Sequence, residues 1–359
     1  IRTKLYPPPL APDIVQRQRL LSLALSAKQN PLSLVSAPAG YGKSTLVSQW
    51  LDLLGCKSAW LSLDNEDSNL TQFLSYVVAA LRDVYRGCCS EIVEILQSAV
   101  LPDAHSLAGI FCNEIDAYKE TMVLILDDYH RLSSTDVDSF LDTVLKHPPQ
   151  NLHLIIVSRR DPSLSLHALR ARGALCEIRL QQLRFREDET RAFVHLNLDD
   201  TFSDDGIKIL HERTEGWPAA LRLARLATAK TGSKASIIGR LPEDSHSVRT
   251  YLMQEVLAGH PAEIREHLLR VAFLDRFCAE LCEVVMPEDY AGVSGKEFVD
   301  HINQANLFLV PLDLSKSWFR FHHLLQSMLQ DLALTRLGKD EIRNIHTRAS
   351  RWFEDHDFL

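Results

Sequence analysis

No stretch of the 359 residues approaches the ~20 consecutive apolar residues that a bilayer-spanning helix needs, so the sequence predicts no membrane segment. The start, Ile1 to Pro9, is polar and proline-rich, unlike a signal peptide. Basic charge is in deficit: 39 Lys and Arg stand against 47 Asp and Glu, for a net charge of −8. There is thus no overall basic footprint of the kind that nucleic acid attracts. The seven cysteines, Cys56, Cys88, Cys89, Cys112, Cys176, Cys278 and Cys282, include no C-x-x-C pair. An odd, scattered set in so large a chain predicts reduced thiols and a cytoplasmic setting, not a disulfide framework. The adjacent Cys88 and Cys89 read as small buried residues before they read as a redox element. An initiator Met is missing and a helical pattern is still running at Leu359, which together predict a piece of a longer chain. No complete internal repeat is found.

What is present is an ordinary globular balance, 46% hydrophobic and 24% charged, in a chain long enough for two or three domains. Its centre is residues 31 to 55. Leu32 to Val35 is a short β-type apolar run, Ala37 to Gly42 a loop of mostly small residues, and from Lys43 the positions Leu46, Val47, Trp50, Leu51 and Leu54 fall on one helix face before Gly55. Strand, loop and helix in that order are the context of a phosphate-binding loop. Gly40 and Gly42 let successive N–H groups turn toward one centre, and the helix N-terminus adds its positive dipole end. Lys43 is then within reach of the β- and γ-phosphates of ATP, Ser44 is a Mg²⁺ ligand, and Thr45 meets the α-phosphate. The nucleotide-binding set is Ala39, Gly40, Tyr41, Gly42, Lys43, Ser44 and Thr45. The pattern opens on Ala37 where glycine is usual, which a turn tolerates if φ there is negative. A plain strand–helix turn with a chance Gly-Lys-Ser is the competing reading.

Residues 1 to 12 hold four prolines and read as an extended arm, with Asp13 as a cap for the helix that follows. Ser58 to Leu63 is a second strand, Asp64 to Asn69 an acidic turn, Leu70 to Val84 a helix, and residues 90 to 118 two more helices. Met122 to Leu126 is continuously apolar, as in a strand buried on both faces, and ends in Asp127 and Asp128. Acids at a strand's carboxyl end lie where ligands bind in open α/β sheets. Asp127 is read as holding Mg²⁺ through water, and Asp128 as orienting the attacking water. The same pair also fits a helix N-cap after a core strand. Leu152 to Val157 is a further strand, followed by Arg159, Arg160 and Asp161. An arginine there suits a γ-phosphate contact, and equally a surface ion pair. Ala174 to Leu180 is the fifth strand of a parallel α/β sheet.

After Leu183 the pattern turns helical: Glu187 to Leu196, Ser203 to Arg213, and Pro218 to Ala229, the last opened by Gly216-Trp217-Pro218. Residues 228 to 247 read as a linker. Beyond it, Val248 to Ala258, Ile264 to Phe273 and Lys296 to Ala305 are helices. Leu307 to Val310 and Trp318 to Phe321 form a hairpin around a turn at Asp313 to Lys316, and His322 to Leu332 is a helix. Helices followed by a hairpin predict a winged helix, with few basic residues and so a protein-packing role. His322 and His323 lack a third ligand at metal spacing. Ile342, Ile345, Ala349, Trp352 and Phe353 mark a last amphipathic helix.

Ala37-Pro-Ala-Gly-Tyr-Gly-Lys-Ser-Thr45, Leu126-Asp-Asp-Tyr-His130, Ser158-Arg-Arg-Asp161, Leu183-Arg-Phe185, Glu215-Gly-Trp-Pro218 and Phe321-His-His-Leu-Leu325 occur in this order. Over nearly the whole chain the set resembles the ATPase module of the MalT-like, large LuxR-type transcriptional activators, which are signal-transduction ATPases with numerous domains (STAND). The resemblance implies a P-loop nucleotide-binding domain with its N-terminal arm (1–182), a helical lid subdomain and linker (183–245), a winged-helix domain (246–335) and the start of a helical-repeat region (336–359). It implies a switch that is monomeric around ADP, exchanges to ATP with an inducer, self-associates, and resets by slow hydrolysis. Asp127 and Asp128 match the family's Walker B acids, Arg160 its sensor arginine, and Pro218 the proline of Gly-x-Pro that fastens the lid over the nucleotide. Arg17 stands where it helps hold the base. DNA binding belongs to a C-terminal helix-turn-helix that the chain does not contain. A kinase or motor with steady ATP turnover, and a scaffold that holds ADP structurally, are the competing classes.

Overall fold

A computed structural model describes the chain except residues 12–13, 28, 56, 99–100, 198–201, 232–252, 254–256, 258, 288–289, 291, 306, 314, 316 and 357–359. The expected cap at Asp13, most of the linker at 228 to 247, most of the helix at Val248 to Ala258 and two residues of the Asp313 to Lys316 turn lie outside the described residues. By its internal contacts the chain divides into two units. One comprises Ile1–Ala37 and Tyr41–Leu183, the other Pro38–Gly40 and Arg184–Leu359.

The first unit alternates helices and strands: α1 (Gln18–Ala27), β1 (Leu32–Ser36), α2 (Lys43–Leu54), β2 (Ser58–Ser62), α3 (Leu70–Val84), α4 (Ser90–Leu96), α5 (Ala104–Asp116), β3 (Met122–Asp127), α6 (Thr135–Lys146), β4 (Leu152–Ser158), α7 (Leu166–Ala171), β5 (Leu175–Ile178) and a final turn, α8 (Leu180–Leu183). The five strands form one parallel sheet in the order β2-β3-β4-β1-β5. Every residue of β1, β3 and β4 is buried, as continuous apolar runs require of strands covered on both faces, whereas the edge strands β2 and β5 are partly open. Register puts Ile156 of β4 between Leu34 of β1 and Leu126 of β3, so the carboxyl ends of the three strands finish almost level. Asp127 is the last residue of its strand, opposite Ser62 of β2.

Three expectations change. The fifth strand is shorter than Ala174 to Leu180, because Leu180–Leu183 winds into a helical turn. Helix α6, with Ser134 as its cap, fills a stretch to which the sequence reading assigns nothing. The N-terminal arm is not extended throughout: Arg2–Leu5 is a 3-10 turn. An ion-pair cluster anchors it. The Lys4 ammonium lies 2.7 Å from Asp64 and 2.8 Å from Asp67, whose side chain is wholly buried. Lys4→Ala strands that carboxylate, so it should lower stability to urea by about 2 kcal/mol. Adding Asp67→Asn should recover part of the loss. A double variant no more stable than the single one would contradict this account.

The second unit holds α9 (Glu187–Asn197), α10 (Asp204–Thr214), α11 (Pro218–Thr231), α12 (Ala262–Val271), α13 (Ala279–Val284), α14 (Gly295–Gln304), β6 (Leu309–Pro311), β7 (Phe319–Phe321), α15 (His323–Arg336) and α16 (Gly338–Asp355). The strands pair antiparallel, Leu309 opposite Phe321. Helix α14 starts at a reciprocal capping box between Ser294 and Glu297. Phe277, Phe298 and Phe321 are fully buried in this winged-helix part.

Glu215 sits at the end of α10 with a left-handed φ of 47°. Its side chain is 8% exposed and receives Arg184, both terminal nitrogens of Arg320 at 2.8 and 2.9 Å, and the backbone N–H of His323 at 3.2 Å. One carboxylate therefore joins the start of the helical part to the hairpin and to α15. Next to it, the buried His322 ring meets the Thr214 carbonyl at 3.1 Å, and burial lowers its pKa to about 4. Gly216 needs its positive φ of 67°, and a Cβ there would collide with the Phe185 carbonyl oxygen.

Candidate phosphate-binding site

The loop between β1 and α2 turns because Gly40 and Gly42 adopt φ of 77° and 73°, a region that costs glycine nothing. Ala37 is not among the positive-φ residues, so alanine is tolerated at the first position of the pattern. Tyr41 is 1% and Lys43 8% exposed; Ser44 and Thr45 are half-buried in the first turn of α2.

The Ser44 hydroxyl donates to Asp127 Oδ1 at 3.0 Å. The same oxygen accepts the backbone N–H of Asp128 at 3.0 Å. Burial, then the neighbouring Asp128 charge, raises the Asp127 pKa to about 6. A hydroxyl and a carboxylate held together at a strand end are hard oxygen donors of the kind Mg²⁺ takes, leaving other positions to water and phosphate. The donor set thus fits the ion.

Asp128 is the one of the pair that looks outward. It has a left-handed φ of 57°, and its half-exposed carboxylate lies 3.8 Å from His130 Nδ1 and from Arg131 Nε. His130 is held neutral, its pKa pushed down to about 3 by burial and then by the charges of Arg159, Lys43, Arg131 and Arg160. Four cations acting on one imidazole describe a positive field beside the acid pair, which is the field a polyphosphate would meet. Arg160 itself is exposed and donates to the His130 carbonyl at 3.2 Å. Arg17 is 3% exposed, with its guanidinium on backbone carbonyls, Leu183 at 2.9 Å and Gly42 at 3.2 Å.

Pro218 opens α11 and is half-buried. Its neighbours touch the loop. Trp217 Nε1 donates to the Ala39 carbonyl at 3.1 Å and the Ala219 N–H donates to the Gly40 carbonyl at 3.1 Å, both inside the second unit, to which Pro38–Gly40 belong. A Cβ on Gly40 would come within 2.6 Å of Ala219 Cβ and 2.7 Å of Trp217 Nε1. Glycine is required there by close approach as well as by φ. In the sequence Trp217 stands out only as part of the Glu215-Gly-Trp-Pro218 motif. A single indole between Gly216 and Pro218 at a helix start was the available signal.

His322 and His323 are occupied by Thr214 and Glu215. Among the described residues no group of three or more His, Cys, Asp or Glu is arranged to hold a metal. Also among the described residues, no helix is long and apolar enough to cross a membrane.

Residues 253–341 match the MalT winged helix domain family. The chain is 30% identical over 353 residues to the HTH-type transcriptional regulator MalT of Vibrio campbellii, covering 98% of this chain and 38% of the regulator. It is 29% identical over 361 residues to the serine/threonine-protein kinase PknK of Mycobacterium tuberculosis, covering 99% of this chain and 32% of the kinase. It spans between about a third and two fifths of these relatives. Among solved structures, a Walker-type ATPase of Pyrococcus abyssi superposes with a TM-score of 0.58 at 14% identity, over 92% of this chain and 100% of that one.

Proposed function

The chain is a MalT-like P-loop module of the STAND type that carries a MalT winged helix domain, and from that premise we propose that it is the nucleotide-gated switch of a larger regulatory protein. Residues 1–182 bind ATP or ADP, 183–245 form the lid and linker, 246–335 the winged-helix arm, and 336–359 begin a helical repeat. The observation that carries the reading is Ser44 at 3.0 Å from Asp127, at the mouth of a loop with two left-handed glycines. Backbone N–H groups of Ala39 to Thr45 and the Lys43 ammonium bind the phosphates. Ser44 and Asp127 hold Mg²⁺, which when bound screens the phosphate charge. Asp128 orients the attacking water, Arg160 answers to the γ-phosphate, Arg17 lies on the base side, and Pro218 closes the lid.

A ligand shifts a two-state protein only by its differential affinity for the two states. ATP offers contacts to Lys43 and Arg160 that ADP lacks, so exchange of one for the other, prompted by an inducer, releases the closed form and allows self-association. DNA contact, where the larger protein makes it, belongs to a C-terminal domain. Relatives named for two different outputs, a transcriptional regulator and a protein kinase, carry this same stretch, which supports a switch over a dedicated metabolic enzyme.

The purified protein should release ADP on denaturation and hydrolyse ATP slowly. Asp128→Asn should keep parental ADP affinity while hydrolysis falls about a hundredfold. Parental hydrolysis in that variant would remove Asp128 from its role, and turnover of many per second without inducer would favour the kinase-or-motor class.

A further inference from the structure

The two hydrogen bonds that α11 gives to the loop have a directional consequence. A trans peptide unit is planar, and its C=O and N–H point in opposite directions. Trp217 Nε1 fixes the Ala39 carbonyl toward α11 at 3.1 Å, so the N–H of Gly40, in the same peptide unit, faces the other way. Ala219 N–H fixes the Gly40 carbonyl at 3.1 Å, so the N–H of Tyr41 is likewise turned away from α11. These are two of the donors a phosphate needs from this loop.

We propose that the indole N–H of Trp217 is a positioning group for phosphate: by holding the Ala39 carbonyl outward it presents the Gly40 amide to the β-phosphate of a nucleoside diphosphate. The role rests on the nucleotide reading above and deepens it. Ala219 performs the same task one peptide later, through a backbone donor that only proline would remove. Trp217 is fully buried, and its ring meets Phe308 edge-on at 5.0 Å between centroids and His322 at 5.9 Å. The ring's seat is thus built by the winged-helix part, so the order of that part decides how firmly the loop amide is aimed. An anion on the amide, in return, favours the seated ring.

The test is binding of ADP and of inorganic pyrophosphate, by calorimetry, to the parent and to Trp217→Phe, which keeps a ring in the seat and deletes the donor. Both ligands should bind about tenfold more weakly to the variant, the equivalent of ~1.4 kcal/mol. The two losses should agree, because pyrophosphate has no base. The ligand-free variant should still unfold in one cooperative transition, at a midpoint lowered by the smaller ring and the lost bond to the Ala39 carbonyl, so the affinities are compared well below it. If Trp217→Phe does not fold, Trp217→benzothienylalanine, which replaces the N–H by sulfur in the same outline, serves instead. Parental affinity for pyrophosphate in a folded variant overturns the role, as does a loss confined to ADP, which would put the ring on the base side. A parent that binds neither ligand sinks the nucleotide reading itself, an outcome distinct from both.

Discussion

Lys43→Ala should bind ADP and pyrophosphate at least about a hundredfold more weakly than the parent, an effect of ~3 kcal/mol and among the largest a single side chain gives here. Lys43 is buried at the start of α2, with 8% exposure. In such a setting a charged hydrogen bond to phosphate meets little competition from water. Removing it also withdraws one of the four cations that act on His130. Calorimetric titration checks the result, with circular dichroism to show that the fold survives. A variant that binds ADP like the parent would mean that phosphates do not lie against this loop.

The second large effect belongs to the second unit. Glu215→Gln keeps the shape and the left-handed backbone requirement but withdraws the charge that faces Arg184 and Arg320. Breaking a largely buried ion pair from one side should lower stability at pH 7 by about 3 kcal/mol. The sign with pH follows from the group itself. Burial works to raise the Glu215 pKa, but Arg320, His322 and the His323 amide outweigh it and hold it at about 2, below the ordinary 4.5. A carboxylate lowered in the folded state stabilises above its unfolded value and loses that contribution as pH falls through the folded one. The gap between parent and Glu215→Gln in thermal unfolding should therefore be full above about pH 5 and close toward pH 2. A gap that is absent at pH 7, or that widens in acid, contradicts the arrangement.

Much of the first unit is legible in the residues because its signals are local. Leu32–Ser36, Met122–Asp127 and Leu152–Ser158 are continuous apolar runs, and such runs become central strands of a parallel sheet. The loop and its partner acid are legible for the same reason: each stands at the end of such a run. Helix α6 was equally available, since Val137, Phe140, Leu141, Val144 and Leu145 recur at helical spacing behind Ser134, yet the sequence reading leaves it unassigned. The shortening of β5 is harder to foresee, as Ala174 to Leu180 carries a strand-like composition and only the turn at Leu180–Leu183 ends it. The hold of Trp217 on Ala39 spans 178 positions, and that of Arg320 on Glu215 spans 105. No periodicity encodes such pairs, because each exists only once distant segments are assembled. Trp217 therefore emerges from the three-dimensional arrangement, whereas Lys43 and Asp127 emerge from the string.

The strand order also sets a schedule for synthesis. Leu32 of β1 pairs with Leu154 on one side and Leu175 on the other, and with no strand closer in the chain. As the polypeptide leaves the ribosome, its loop-bearing strand has no neighbour until β4 has emerged, and lacks its second until β5 follows. Such long-range pairing is slow to form. A nucleotide bound as proposed would thus be a latecomer to the nascent chain, able to stabilise the sheet after β1 is seated beside β4 but unable to guide the earlier steps of assembly.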